Sequence, residues 1–86
     1  MRYIKIKDGI QWKGYLQVHD TIRGFACFMC NDERFERLML TRDHAEGLNL
    51  SLPKDYRLIL KTREEAEAMM ARIAKLNGFS KLEDNI

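Results

Sequence analysis

Eighty-six residues, 45% of them hydrophobic and 33% charged, bound one small globular domain with a single modest core. A net charge of +2 and a single proline exclude a strongly basic nucleic-acid tail and a long disordered linker. The apolar run from Phe25 to Cys30 is too short to span a bilayer, and the alternating start Arg2-Tyr3-Ile4-Lys5-Ile6-Lys7 lacks the continuous apolar stretch of a signal peptide. A cytoplasmic protein is therefore expected, with its two cysteines reduced.

The alternation of Ile4 and Ile6 with Lys5 and Lys7 predicts a half-buried strand, and Asp8-Gly9 predicts a hairpin turn. Alternation resumes, with Ile10, Trp12, Gly14, Leu16 and Val18 on one face and Gln11, Lys13, Tyr15, Gln17 and His19 on the other. A second turn is expected at His19-Asp20-Thr21. Residues 22–30 are apolar on both faces, the pattern of a strand covered from two sides. Asn31-Asp32-Glu33 breaks that strand, and residues 35–40 fit a fourth strand, the preferred reading, or a helical turn.

Thr41-Arg42-Asp43-His44-Ala45-Glu46-Gly47-Leu48 then resembles Thr62-Arg63-Glu64-Glu65-Ala66-Glu67-Ala68-Met69, and each copy follows an apolar run. Both copies predict a helix that starts on a threonine cap. In the second, Thr62 and Glu65 form a capping box and the acids suit the helix dipole. Gly47 and the missing glutamate predict that the first helix is short. Between them, residues 56–61 predict a fifth strand. Residues 63–77 predict the one long helix, with Ala66, Met69, Met70, Ile73 and Leu76 on its buried face. Gly78 suits a left-handed cap, with Phe79 packing back. The expected organisation is one domain over residues 1–79 and a loose tail over 80–86. The expected class is α+β: a mostly antiparallel sheet of four or five strands, begun by an N-terminal meander, with the long and the short helix on one face.

Cys27-Phe28-Met29-Cys30 is the stretch best suited to chemistry. With Phe25, Phe35, Leu40 and His44 it resembles a two-cysteine, two-histidine zinc finger, a resemblance that implies a zinc-stabilised module. The phenylalanine and the histidine each fall one position late, and the second histidine, due at about residues 48–50, is missing from a site that normally takes four ligands. Residues i and i+3 of a strand also point to opposite faces. Buried free cysteines are therefore expected, and no metal or other cofactor. A redox pair would sit at a helix N-terminus with smaller residues between the thiols.

His19 and His44 have no nucleophile placed beside them, the acids fall in turns and helix starts, and there is no glycine-rich phosphate loop. No catalytic residue is assigned and no enzyme is expected. Residues 1–23 carry five basic against two acidic side chains, and Tyr3, Lys5, Lys7, Gln11, Lys13, Tyr15, Gln17 and His19 are expected to share one water-facing surface of the first hairpin. Basic residues mixed with tyrosine can grip a partner protein, the expected partner, or single-stranded nucleic acid, the alternative. The expected function is a non-enzymatic binding or regulatory protein of adaptor or inhibitor type. Such small domains are often regulators or inhibitors, phage and mobile-element proteins among them. An exposed edge or face leaves room for a homodimer.

Overall fold

The structure, a computed structural model, describes residues 2–7, 10–31 and 36–82, with the side chains of residues 6, 7, 10–13 and 82 outside that description. Five strands, β1 (Arg2–Lys7), β2 (Ile10–Thr21), β3 (Gly24–Asn31), β4 (Glu36–Met39) and β5 (Phe79–Leu82), form one antiparallel sheet in the order β4-β3-β2-β1-β5. Two helices, α1 (Arg42–Gly47) and α2 (Arg63–Asn77), complete the α+β fold that the sequence predicts.

The helices form where their caps allow. Thr41 Oγ1 accepts from the His44 backbone N–H at 3.1 Å, and Thr62 Oγ1 accepts from that of Glu65 at 3.1 Å, each satisfying an otherwise orphaned donor of a first turn. α1 ends after six residues, and Asn49 follows in the left-handed region at φ 55°. α2 runs to Asn77 and stops at Gly78, whose φ of 73° suits glycine.

One core lies between the sheet and the helices. Leu16, Val18 and Cys27 face Met69, Met70, Ile73 and Ala74 of α2, and Ala45 of α1 joins the same cluster. The two methionines pack as core. Leu76, expected on that face, is 56% exposed. Ala74 is buried instead, so the buried stripe keeps Ala66, Met69, Met70 and Ile73 and is rotated by about 30° from the expected one.

Two expectations about strands need correction. Residues 56–61 do not join the sheet as a strand. Only Leu60 pairs, through a two-bond bridge to Phe25 (2.8 Å each way). The fifth strand is β5, so residues 80–82, expected in a loose tail, lie along β1 instead. Phe79, 7% exposed, anchors it in the core. Residues 83–86 lie outside the described residues. The connection from α1 to α2 is tied down by side chains. The Asn77 carboxamide bonds both the N–H and the carbonyl of Ser51 (2.8 and 2.9 Å). The Tyr56 hydroxyl donates to the Leu40 carbonyl, and Arg72 holds Asp55 in a bidentate pair at 2.8 and 3.1 Å.

Candidate functional site: the uncovered sheet face

Register decides which side chains share this face. Arg2, Tyr3 and Ile4 of β1 lie opposite Gln17, Leu16 and Tyr15 of β2, and residues directly opposite in an antiparallel pair point to the same side. Tyr3 therefore shares the helix side with Leu16 and packs against the core. Lys5, two residues on, points the same way. The expected site thus divides. Tyr15, Gln17 and His19 face away from the helices, whereas Tyr3 and Lys5 do not. Lys7, Gln11 and Lys13 fall on side chains outside the described residues.

The uncovered face continues across the sheet. Tyr15, Gln17 and His19 lie opposite Cys30, Phe28 and Ala26 of β3, and Cys30 and Phe28 lie opposite Arg37 and Met39 of β4. Arg2 and Ile4 extend it over β1. Phe28, Arg2, Arg37 and Met39 were not singled out in the sequence, because their place depends on which strands become neighbours. By strand register no Asp or Glu of the described residues points to this side, although Glu36 joins Tyr15, Gln17, His19, Cys30 and Arg37 in lining a cleft on it.

The face organises itself through its aromatic and basic groups. The Arg2 guanidinium lies 5.2 Å over the Tyr15 ring, within cation–π range. The His19 and Phe28 rings meet edge to face at 5.4 Å. Arg37 Nη1 sits 3.2 Å from His19 Nδ1, and His19 Nε2 sits 3.7 Å from Cys30 Sγ. A guanidinium can only donate, so Nδ1 accepts and neutral His19 carries its proton on Nε2, directed at the sulfur. Burial, then the charge of Arg37, holds the His19 pKa below its usual 6.5, which keeps that tautomer neutral at pH 7.

The cysteines split across the sheet, as strand parity requires. Cys27 lies on the helix side with Sγ 3.6 Å from the Ala66 carbonyl, and burial pushes its thiol up to about 12. Cys30 lies on the other side beside His19. His44, the third member of the zinc-finger resemblance, places Nδ1 2.7 Å from the Met39 carbonyl. Among the described residues no three His, Cys, Asp or Glu side chains converge as a metal site would need. Cys30 is 3% exposed, and with Tyr15, Gln17, His19, Glu36 and Arg37 it lines a cleft of about 330 Å³. β3 is buried on both sides, as its composition predicts, but among the described residues the second cover consists of neighbouring side chains and no second layer of secondary structure.

A cleft opens where this face meets the β2–β3 turn. Its volume is about 520 Å³, with Ile22, Phe28, Met39, Leu58 and Ile59 supplying apolar walls and Asp20, Thr21 and Arg23 its polar margin. Ile22 is fully exposed. The Leu58–Ile59 wall is held by the Phe25–Leu60 bridge, and Gly24 makes that approach feasible. Its φ is 150°, and a Cβ there would lie 2.3 Å from the Leu60 carbonyl oxygen. Comparison of the chain with family models, with curated proteins and with solved structures returns no match. Among the described residues, no helix is long and apolar enough to cross a membrane.

Proposed function

We propose that this protein is a non-enzymatic binding module of adaptor or inhibitor type that acts by occupying a partner protein through the uncovered face of its sheet. The observation that carries the reading is the composition of that face. Its described side chains include Tyr15, Phe28, Met39, Arg2 and Arg37, with Glu36 at its margin. Interface cores are enriched in aromatic residues, Met and Arg. The apolar cleft beside Phe28 favours a protein over a nucleic acid, because single-stranded nucleic acid is held by stacking and phosphate contacts and has no use for an aliphatic pocket. His19 Nε2 meets Cys30 Sγ at 3.7 Å, but the burial of that sulfur, 3% exposed, favours a binding role over a catalytic one. A regulatory setting in the cytoplasm, including that of a phage protein, agrees with this reading but rests on size and composition alone.

The test is a photo-crosslinking and affinity experiment in cells that express the full chain. A benzoylphenylalanine placed at Gln17 should capture one protein, and the same group at Glu64 on the helix side should not. Tyr15→Ala and Arg37→Glu, each checked for an unchanged thermal melt, should each reduce recovery of that protein by at least about tenfold, roughly 1.4 kcal/mol. Equal recovery by both variants would move the interface elsewhere. Capture of a second copy alone would make the face a self-association surface. Tight, salt-sensitive binding of a labelled oligonucleotide by wild type, lost in Tyr15→Ala, would replace the protein reading with the nucleic-acid one.

A further inference from the structure

We propose that His19 is a proton-controlled latch on the uncovered face: its neutral ring ties Arg37 of β4 to β2 across β3, and a proton gained at Nδ1 releases Arg37. This inference rests on the reading of that face as a protein-binding surface and deepens it, because it names the protonation state in which the surface is assembled.

Geometry builds the latch. β2 and β4 are not neighbours in the sheet, and β3 lies between them. His19 lies opposite Ala26 and Arg37 opposite Cys30, yet Arg37 Nη1 reaches His19 Nδ1 at 3.2 Å. The imidazole thus uses both of its nitrogens. Nδ1 accepts from the guanidinium, which can only donate. Nε2 stands 3.7 Å from Cys30 Sγ, and the His19 and Phe28 rings meet edge to face. A proton at Nδ1 leaves the Cys30 and Phe28 contacts as they are. It removes the one acceptor that Arg37 uses here and places a second positive charge against the guanidinium. Two donors of like charge cannot share that bond, so Arg37 swings away.

The surroundings set where the proton is gained. Tyr15 of β2, Cys30 of β3 and both Glu36 and Arg37 of β4 line a cleft with His19. Asp20 on β2 and Arg63 on α2 act on the ring through their charge. Burial, then Arg37, hold the proton off; Arg63 adds to them and Asp20 opposes. The balance keeps the latch closed at pH 7 and opens it on the acid side of the ordinary 6.5. Opening moves a guanidinium off the face and leaves an imidazolium beside Phe28, a change of both charge and packing at one point.

The experiment follows the imidazole and guanidinium resonances of the full ¹⁵N-labelled chain by NMR from about pH 8 to about pH 5, the range in which only histidine ordinarily changes charge. At the alkaline end the ring should carry its proton on Nε2. Its midpoint should lie below 6.5. The Arg37 signals should move with that midpoint while those of Arg23, exposed on the β2–β3 turn, stay still. Arg37→Ala alters an exposed side chain and should leave the melt unchanged while raising the His19 midpoint. His19→Asn keeps an acceptor oxygen and does not titrate, so Arg37 should become indifferent to pH. A ring protonated on Nδ1 at the alkaline end, Arg37 signals that do not follow His19, or an unchanged midpoint in Arg37→Ala would overturn the inference. Recovery of the captured partner should fall several-fold over the same range in wild type and stay constant in His19→Asn; an equal fall in both would overturn the latch as the control of binding. The spectra are those of the free chain, so failure to capture any partner sinks the binding reading and leaves the latch standing. A latch that fails while Tyr15→Ala still loses the partner leaves the face standing.

Discussion

Cys27 and Cys30 show how position along one strand sets the chemistry of two identical side chains. Three residues apart, they point to opposite sides of the sheet. Cys27 is held under α2, where loss of water around the sulfur disfavours the thiolate. Its thiol moves from the ordinary 9.0 to about 12, and this has a consequence for stability. Below pH 9 both the folded and the unfolded chain carry the proton, and the contribution of Cys27 is fully present. Above pH 9 the unfolded chain loses its proton first. Stability therefore falls as pH rises from 9 towards 12, by up to about 1.4 kcal/mol per pH unit for one such group. The buried Tyr56 phenol, also raised chiefly by burial, adds to the loss in the same direction. Urea unfolding across pH 7 to 11 should show this decline, and Cys27→Ala, less stable at neutral pH, should show a shallower one. A decline of the same slope in both proteins would mean that Cys27 does not hold its proton in the fold. Cys30 has a different surrounding: the imidazole of His19, a residue paired with Ala26, reaches along the face to within 3.7 Å of its sulfur.

At the scale of elements, the segment from Tyr56 to Lys61 is informative because its sequence reads as a strand and its structure is one bridge. The apolar run Leu58-Ile59-Leu60 has the composition of a buried strand. Only Leu60, however, meets β3, at the very start of that strand, and Ile59 turns its side chain into the cleft. Gly24 permits the contact. Alanine there would force a φ of 150° on a residue with a Cβ and drive that carbon against the Leu60 carbonyl. Gly24→Ala should therefore cost about 2–4 kcal/mol, the sum of a strained backbone and a displaced bridge. Gly47, in α1, has open space around it. Gly47→Ala should be neutral or stabilise the protein by up to about 1 kcal/mol. Chemical denaturation of both variants decides the matter, and equal midpoints would deny Gly24 its role in fixing the cleft wall. The opposite surprise comes from β5. Ser80 and Lys81 carry no apolar alternation that would mark a strand; Gly78 reverses the chain and Phe79 commits it to the core, so an edge strand forms from residues of weak strand character.

Over the whole molecule, the periodic parts were legible. The α+β class, both threonine caps and the length of α2 follow from alternation and caps, and so do the first four strands, although the second turn falls at Ile22-Arg23 and His19-Asp20-Thr21, expected there, ends β2. The division of the candidate site was legible only in part, and the missing step is one of register. Lys7 lies opposite Ile10 and Tyr3 opposite Leu16, so odd positions of β1 share a face with even positions of β2. Tyr3 and Lys5 thereby join Leu16 on the helix side, although their charge and alternation make them look like part of the outer row. Arg37 and Met39 could not be assigned to the face before the β3–β4 pairing was known. The corrected face carries a different electrostatic character from the expected one. It holds two arginines bracketing aromatic rings, Arg2 on β1 and Arg37 on β4, with Glu36 beside Arg37. In the proposed binding role the arginines attract an acidic partner from a distance and are screened by salt, whereas Tyr15, Phe28 and the cleft act only in contact. With the captured partner immobilised, raising the salt from about 0.05 M to about 0.5 M should slow association several-fold and change dissociation little, since the Debye length shrinks over that range while desolvated contacts are unaffected. Arg2→Glu combined with Arg37→Glu should abolish or reverse the salt dependence of the on-rate. Tyr15→Ala should keep that dependence and raise the off-rate. An on-rate insensitive to salt in the wild type would show that the positive face does not steer the encounter and would leave its arginines a role in contact alone.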